Sequence, residues 1–186
     1  MKHLLTFCLC QALLFSGLYA QDPAPSAYVA PTTGWEAFES LEGKFAVLTP
    51  APMRQRVDTA QTAIGRLAFH SFICREGADM IYLLSYCDYP EQTVHADSSA
   101  LLSEFFVATM DQSVQNAGGE LVYSEDFLWL GYPGKQWRIN VPEQKRVIRT
   151  KVLVVGNRVY SLQTVMSKGQ SLNPNSQRFL ESFRLL

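Results

Sequence analysis

The chain has 186 residues, of which 47% are hydrophobic, and it carries 16 basic residues against 17 acidic ones. This near-neutral balance excludes the strongly basic composition that is typical of nucleic-acid-binding proteins. The length predicts a single domain that buries about 70% of the surface its unfolded form exposes, so its core needs no disulfide or metal to hold it.

The first twenty residues have the pattern of a secretory signal peptide. Lys2 precedes an apolar run over residues 4–18, and this run is shorter than the roughly 20 residues needed to span a bilayer. Because the run ends near the small residue Ala20, we predict cleavage between Ala20 and Gln21. Removal of this segment takes away one lysine and no acidic residue, and it changes the net charge from −1 to −2.

Two cysteines inside this leader, Cys8 and Cys10, leave a lipoprotein as the alternative. Each follows a large apolar residue, whereas a lipidated cysteine follows a small one. The sequence therefore predicts an exported protein, periplasmic or extracellular, that does not span the membrane. Residues 21–34 contain three prolines and are predicted to form a flexible linker before a domain at residues 35–186.

The rest of the chain predicts an α+β fold with a large, mostly antiparallel sheet of six to eight strands. A long helix is predicted at residues 98–117, because its apolar residues recur at helical spacing, and a short helix at residues 176–186. We expect the long helix on one face of the sheet and the short helix, with the N-terminal strands, near the other. The predicted strands cover residues 35–41, 44–49, 54–58, a hairpin over 66–89, and 120–130, 135–141, 146–155 and 158–166.

Three turns carry clear signatures. Gly156 and Asn157 predict a two-residue hairpin turn, and Pro133 and Gly134 suit the centre of a type II turn. Gly118, with the glycine after it, is predicted to end the long helix in the left-handed conformation.

The hairpin over residues 66–89 is predicted to lie at the centre of the sheet, because both of its strands are apolar on both faces. A two-residue turn would place Glu76 opposite Asp79. In that register His70 faces Ser85, which makes His70 a core histidine bonded to a neighbour.

Export to an oxidising compartment makes Cys74 and Cys87 a candidate disulfide. In the predicted register Cys87 lies opposite Ala68, about 20 Å along the strand from Cys74. A disulfide needs Cα atoms within about 7 Å. We therefore expect two buried free thiols, with the disulfide as the alternative.

The sequence contains no complete catalytic motif: GxSxG, HExxH, GxGxxG and the phosphate-binding loop are all absent. His70 and Cys74 lie four residues apart on one strand face, but the predicted register brings no further ligands to them, so no metal or cofactor is expected. His95 lies in a loop beside Glu91 and Asp97, which is typical of either a proton-transfer loop or a solvated connector.

A partner-binding surface is predicted at the exit of the hairpin, around residues 88–95, or on the basic strand at residues 145–151. Arg149 and Lys151 share one face of their strand. If the turn places Val155 opposite Arg158, these two residues lie opposite Thr164 and Leu162 on the next strand. A solvated sheet surface is the alternative for this basic cluster. The candidate residues of the partner surface are Asp88, Tyr89, His95, Lys145, Arg149 and Lys151.

The order of these landmarks resembles the PsbP-like superfamily, which includes bacterial exported DcrB-like domains. The resemblance covers nearly all of residues 35–186 and rests on the segments FAVLTPAP, SYCDYP, GYPG, VVGNRVYSL and NSQRFLESFRLL. It implies a non-enzymatic binding or assembly module, and it brings no catalytic residue to carry over.

We therefore expect an exported, non-catalytic binding or assembly module for a protein or envelope partner. Two alternatives stay open. One is a small-ligand carrier with a pocket between the long helix and the sheet; the other is a small hydrolase or metal-dependent enzyme that uses His95 or His70.

Overall fold

The computed structural model describes residues 34–186. The predicted signal peptide at residues 1–20, and the predicted linker apart from its last residue, lie outside the described residues. Within residues 34–186 the strands are β1 (Glu36–Ser40), β2 (Phe45–Thr49), β3 (Arg54–Thr62), β4 (Gly65–Glu76), β5 (Met80–Asp88), β6 (Glu120–Trp129), β7 (Tyr132–Val141), β8 (Arg146–Val155), β9 (Arg158–Ser167) and β10 (Arg184–Leu185). The helices are α1 (Ser99–Ala117) and α2 (Pro174–Glu181), and a 3₁₀ turn spans Lys168–Gln170.

The strands form two antiparallel sheets. Seven strands make a large sheet in the order β3-β4-β5-β9-β8-β7-β6, and three make a small sheet in the order β1-β2-β10. The predicted α+β class with a large antiparallel sheet is confirmed. The N-terminal strands β1 and β2, expected near the face opposite the long helix, lie there and form the small sheet with the end of the chain.

The large sheet lies between two covering layers. One of its faces, the α1 face, packs against α1 through a cluster that includes Phe105, Phe106, Trp137 and Ile139. The other, the α2 face, packs against α2 and the small sheet through a second cluster centred on Phe45. Since both faces of the sheet are covered, β5 is buried on both sides, as predicted. The same prediction holds only in part for β4, which lies next to the edge strand β3 and has exposed positions such as Arg66 and Ala68.

Helix α1 follows its predicted bounds within one residue. Ser98 occupies the N-cap position, and Gly118 ends the helix in the left-handed conformation with φ of 57°. The predicted apolar stripe faces the sheet, and its buried residues are Leu102, Phe105, Phe106, Met110, Ser113 and Ala117.

The second helix is shorter than predicted. It begins at Pro174, after the Asn173 side chain caps it by accepting a hydrogen bond from the backbone N–H of Asn175 at 2.9 Å. It ends at Glu181, and the chain then leaves the helix to pair with β2 as β10. The expected return of Phe179, Leu180 and Phe183 to the core is confirmed, since all three are buried.

The register of the β4–β5 hairpin is one residue away from the prediction. Glu76 lies opposite Met80 instead of Asp79, because the turn has three residues, with Gly77 at φ of 61°. His70 therefore pairs with Tyr86 rather than Ser85. A shift of one residue moves every side chain of one strand to the other face relative to its partner.

Two further predictions of the boundaries are wrong. Strand β3 runs on to Thr62, where a loop was expected after residue 58. The turn between β6 and β7 lies at Leu130 and Gly131, which both have positive φ, and Pro133 and Gly134 belong to strand β7. The predicted two-residue turn at residues 156–157 is confirmed, with Val155 opposite Arg158.

Truncation of Phe45 to Ala tests the packing between the two sheets. The Phe45 side chain is fully buried, and its ring lies 5.3 Å from Phe72 and 6.1 Å from Phe183. We expect Phe45→Ala to lower the free energy of unfolding by about 3–5 kcal/mol in urea denaturation, because it leaves a cavity between the sheets. Leu172→Ala, at a side chain that is 91% exposed, is the control and should change it by less than about 0.5 kcal/mol. Equal effects of the two changes would contradict this packing.

Candidate functional site

An open groove lies between the first half of α1 and the β6–β7 hairpin, and we call it the helix–hairpin groove. Its volume is about 580 Å³, within the range of about 300–1,000 Å³ that is typical of ligand sites. The residues that line it are Ala96, Asp97, Ser99, Leu102, Ser103, Phe106, Asp126, Phe127, Leu128, Gly131, Pro133, Gly134 and Lys135.

The floor of the groove is apolar. Leu102 and Phe106 lie one turn apart on α1 and are buried, whereas Leu128 opposite them is 77% exposed. On the other face of the hairpin, the ring of Phe127 packs against Gly134, where a Cβ would clash with the ring and lie 2.7 Å from the carbonyl oxygen of Val152. The predicted role of Gly134 as a turn residue is thus replaced by close packing under an aromatic ring.

Two of the three charged residues of the groove pair with each other, and the third, Asp97, is 90% exposed. Lys135 Nζ donates to Asp126 Oδ1 at 2.6 Å, and the Lys135 side chain is only 12% exposed. No histidine or cysteine is among the lining residues. The groove therefore presents an apolar floor and an internal ion pair, without a nucleophile and its base.

His95 lies next to the groove, in the loop that joins β5 to α1. The backbone N–H of Asp97 donates to His95 Nδ1 at 3.2 Å, and the Asp97 carboxylate is 3.5 Å from the same nitrogen. The loop is tied to the β8–β9 turn, since Ala96 N–H donates to the carbonyl of Gly156 at 2.8 Å. His95 is thus held by its own loop, about one third exposed.

The other residues predicted at the hairpin exit face different ways. Asp88 lies at the end of β5 on the α2 face and binds Arg158 through both carboxylate oxygens, at 2.5 and 2.7 Å. Tyr89 is buried on the α1 face, 5.6 Å from the ring of Phe105, so it contributes to the core and not to a surface. The structure does not bring Asp88, Tyr89 and His95 together on one surface.

The predicted basic strand is also divided. Lys145 lies in the exposed turn between β7 and β8, whereas Arg149 and Lys151 lie on the α2 face of the sheet. Arg149 Nη2 donates to Gln177 Oε1 at 2.5 Å, and Lys151 Nζ lies 4.9 Å from the ring centre of Phe127. The predicted pairing of Arg149 with Thr164 and of Lys151 with Leu162 is confirmed.

A polar cluster around Tyr86 joins the two sheets. The imidazole of His70 stacks on Tyr86 with ring centres 4.4 Å apart, and the guanidinium of Arg158 lies 4.7 Å from the same ring. Arg158 also donates to the carbonyl of Glu42 at 3.0 Å, and Tyr160 donates to the carbonyl of Gly43 at 2.8 Å. These bonds fasten the β1–β2 turn to the large sheet.

The electrostatics of this cluster follow from burial and from the Asp88–Arg158 pair. Burial, together with the nearby Glu42 carboxylate, raises the pKa of Tyr86 to about 12. Hydrogen bonds from Arg158 hold the pKa of Asp88 below its usual value. His70 Nδ1 is buried without a hydrogen-bond partner, and the nearest carboxylate oxygen, on Glu42, is 3.8 Å away.

The two cysteines are free and lie on opposite faces of the sheet, Cys74 on the α2 face and Cys87 on the α1 face. Burial raises the pKa of each thiol to about 12. Within residues 34–186 no group of three or more metal-ligating side chains is assembled. None of the helices in that range is both long and apolar enough to cross a membrane.

The state of the thiols is open to a direct test. We expect Cys74 and Cys87 to resist iodoacetamide at about pH 8 in the folded protein, because a buried thiol with a raised pKa is hardly ionised there. Both should react once denaturant is added. A mass increase of about two units on reduction would show a disulfide and contradict the placement of the two residues on opposite faces.

The Asp88–Arg158 pair predicts a dependence of stability on pH. Because the pKa of Asp88 is lowered in the folded protein, the ion pair stabilises the fold fully above the ordinary carboxyl pKa of about 4. This stabilisation is lost as the pH falls through the lowered pKa of Asp88. We expect Asp88→Asn to cost about 1 kcal/mol near neutral pH, a modest value because Asp88 is half exposed and solvent screens the pair. The difference should vanish well below about pH 4.

Urea unfolding of the wild type and Asp88→Asn, near neutral pH and well below about pH 4, measures the cost of the substitution at each pH. Asp111→Asn, on the exposed side of α1, is the control and should show no such convergence. A cost of Asp88→Asn that is the same at both pH values would contradict the assignment to the ion pair.

No family model matches the chain, and no curated protein matches it. Among solved structures, the chain is similar to cyanobacterial PsbP (CyanoP) from Synechocystis sp. PCC 6803, with a TM-score of 0.56 and 12% identity over 89% of this chain and 100% of that one. A Bacteroides thetaiotaomicron structure has a TM-score of 0.38 and 12% identity over 81% of this chain and 48% of that one. Protein PA94 from Pseudomonas aeruginosa, of unknown function, has a TM-score of 0.34 and 9% identity over 76% and 88%.

Only the first of these similarities is strong enough to bear on the architecture. At 12% identity it concerns the path of the chain and not the chemistry of any site. Together with the antiparallel sheet and its two helical covers, it shows that this chain has a PsbP-like α+β fold.

Proposed function

We propose that the protein is an exported, non-catalytic binding module that docks an apolar segment of a protein partner in the helix–hairpin groove. The observation that carries this proposal is the exposure of two leucines at the groove: Leu128 is 77% exposed and Leu130, at the tip of the hairpin, is 80% exposed. Exposed apolar side chains grouped beside an open groove are typical of interaction sites.

The chemistry of the groove supports binding rather than catalysis. Its two closest opposite charges, Lys135 and Asp126, are already paired, so neither is poised to act on a substrate. His70 is not among the lining residues, and His95 lies beside the groove with Nδ1 accepting a backbone hydrogen bond. These positions give no support to a hydrolase or metal-dependent enzyme built on either histidine.

Export to the periplasm or the extracellular space is part of the proposal and rests on the predicted leader at residues 1–20. The PsbP-like fold is consistent with a binding or assembly module, and the fold by itself does not select a partner.

A small-ligand carrier is the second candidate, and the volume of the groove favours it. About 580 Å³ is enough for a small molecule, and the groove lies between the long helix and the sheet, where such a pocket was predicted. The two candidates differ in whether the ligand contacts the exposed leucines. A protein segment would contact them, whereas a small ligand needs only the groove floor at Leu102 and Phe106.

Photo-crosslinking distinguishes the two. A benzoylphenylalanine at position 128, in the full chain expressed in its source organism, should form a discrete adduct with a partner protein. The same probe at position 172, exposed on another part of the surface, should not form it. Absence of any adduct specific to position 128, together with a small molecule retained in native mass spectrometry, would favour the carrier.

The double variant Leu128→Asp, Leu130→Asp tests the energetics with the crosslinked partner. We expect at least a tenfold loss of affinity, because burial of a leucine contributes about 1.5–3 kcal/mol and an aspartate in its place must be desolvated. The melting temperature should stay within a few degrees of that of the wild type, since both side chains are exposed in the free protein. Unchanged affinity would overturn the proposed groove.

A further inference from the structure

Two arginines lie directly opposite each other on neighbouring strands. Arg138 of β7 pairs with Arg149 of β8, which places their Cβ atoms about 4.5–5.5 Å apart on one face of the sheet. Like charges directly opposite each other repel and destabilise the pairing of the strands. The face is the α2 face, on the side of the sheet away from the helix–hairpin groove.

Protein groups leave the charge of this pair uncompensated. Across residues 34–186 Arg138 makes no ion pair, and its Nε is buried without a hydrogen-bond acceptor. Arg149 donates only to neutral groups, the Ser176 hydroxyl at 3.5 Å and the Gln177 amide oxygen at 2.5 Å. The guanidinium of Arg149 is thus held in place by α2 while its charge stays unpaired.

Two carboxylates on β6 and α2 are hydrogen-bonded to amides. Glu125 accepts a hydrogen bond from the Gln136 amide at 3.0 Å, and Glu181 accepts one from the Gln177 amide. Glu181 also interacts electrostatically with Lys151. Within residues 34–186 neither acid forms an ion pair with Arg138 or Arg149.

A third cation adjoins the pair. Lys151 is two residues beyond Arg149 on β8, so it projects from the same face at about 6.5–7 Å along the strand. Its side chain is half-buried against the ring of Phe127. The side chains of Arg138, Arg149 and Lys151 therefore share one face of the sheet on the neighbouring strands β7 and β8.

We propose that Arg138, Arg149 and Lys151 form a binding site for an oxyanion, the carboxylate or phosphate group of a ligand. Planar guanidinium groups match the oxygens of these anions with paired hydrogen bonds. The ligand would supply the missing acceptor for Arg138 Nε and relieve the repulsion between the two arginines. The site is separate from the helix–hairpin groove and does not depend on the function proposed for it.

Titration with inorganic phosphate tests the site on the folded protein. We expect the arginine Nε–H resonances of Arg138 and Arg149 to shift in a saturable way, and the melting temperature to rise, relative to chloride at equal ionic strength. Sodium acetate should give the same pattern more weakly, because it carries one charge. Shifts that rise linearly with the phosphate concentration, and that chloride causes equally, would show only nonspecific ionic effects. Such a result would overturn the proposal.

Variants localise the effect. Arg138→Gln should weaken phosphate binding at least tenfold, and Arg138→Lys, which keeps the charge and loses the fork, should fall between that variant and the wild type. Lys145→Gln, on the exposed turn of the same two strands, is the matched control and should bind as the wild type does. Equal weakening by Lys145→Gln and Arg138→Gln would contradict a discrete site.

The melting temperature without ligand distinguishes a loss of the site from a folding defect. At low ionic strength Arg138→Gln should melt at a higher temperature than the wild type, because it removes the repulsion, and added salt should shrink the difference. If Arg138→Gln does not fold, Arg138→Lys and Lys151→Gln carry the binding test.

Vesicles distinguish the possible sources of the anion. Binding to phosphatidylglycerol but not phosphatidylcholine vesicles, lost in Arg138→Gln together with the phosphate response, would assign the site to a lipid headgroup. A saturable phosphate response without vesicle binding would assign it to a free anionic ligand. Vesicle binding that Arg138→Gln leaves unchanged would argue against the site.

Discussion

The seven-stranded sheet has two apolar faces, and the need to cover both determines the arrangement of the rest of the chain. A strand such as β5 is buried at every position from Met80 to Cys87, so water must be excluded from both of its sides. Helix α1 excludes it from one face. The other needs a composite cover, because neither the eight-residue α2 nor the short strands β1, β2 and β10 is wide enough alone.

Polar contacts hold the composite cover in place. Because the β4–β5 turn has three residues, His70 stacks on Tyr86, and Arg158 of β9 contacts the same ring while it pairs with Asp88. From this cluster Arg158 and Tyr160 reach the carbonyls of Glu42 and Gly43. At the opposite end of the small sheet, the Ser182 hydroxyl accepts a hydrogen bond from the backbone N–H of Leu48 at 2.9 Å. The small sheet is thus tied to the molecule at both ends.

Both proposed sites lie towards the exposed edge of the large sheet. Strand β6 is that edge and is mostly exposed. The groove lies between α1 and the turn end of the β6–β7 hairpin, and the arginine pair lies on β7 and β8 beside α2. An irregularity in the pairing between Leu121 and Tyr123, with acidic residues along β6, protects this edge against unspecific strand pairing.

The sequence by itself determined the parts of the fold that depend on local chemistry. The 3.6-residue period of α1 identified its buried stripe, and Gly156 identified a two-residue turn that correctly paired Arg149 with Thr164. Tertiary structure decided the register of the central hairpin, because strands that are apolar on both faces carry no alternation from which a register can be read. It also decided both sites: Arg138 meets Arg149 only across two strands, and the groove joins residues of α1 to the β6–β7 hairpin, which is distant in the sequence. Such contacts depend on how the layers pack, and packing is a property of the whole chain rather than of any segment.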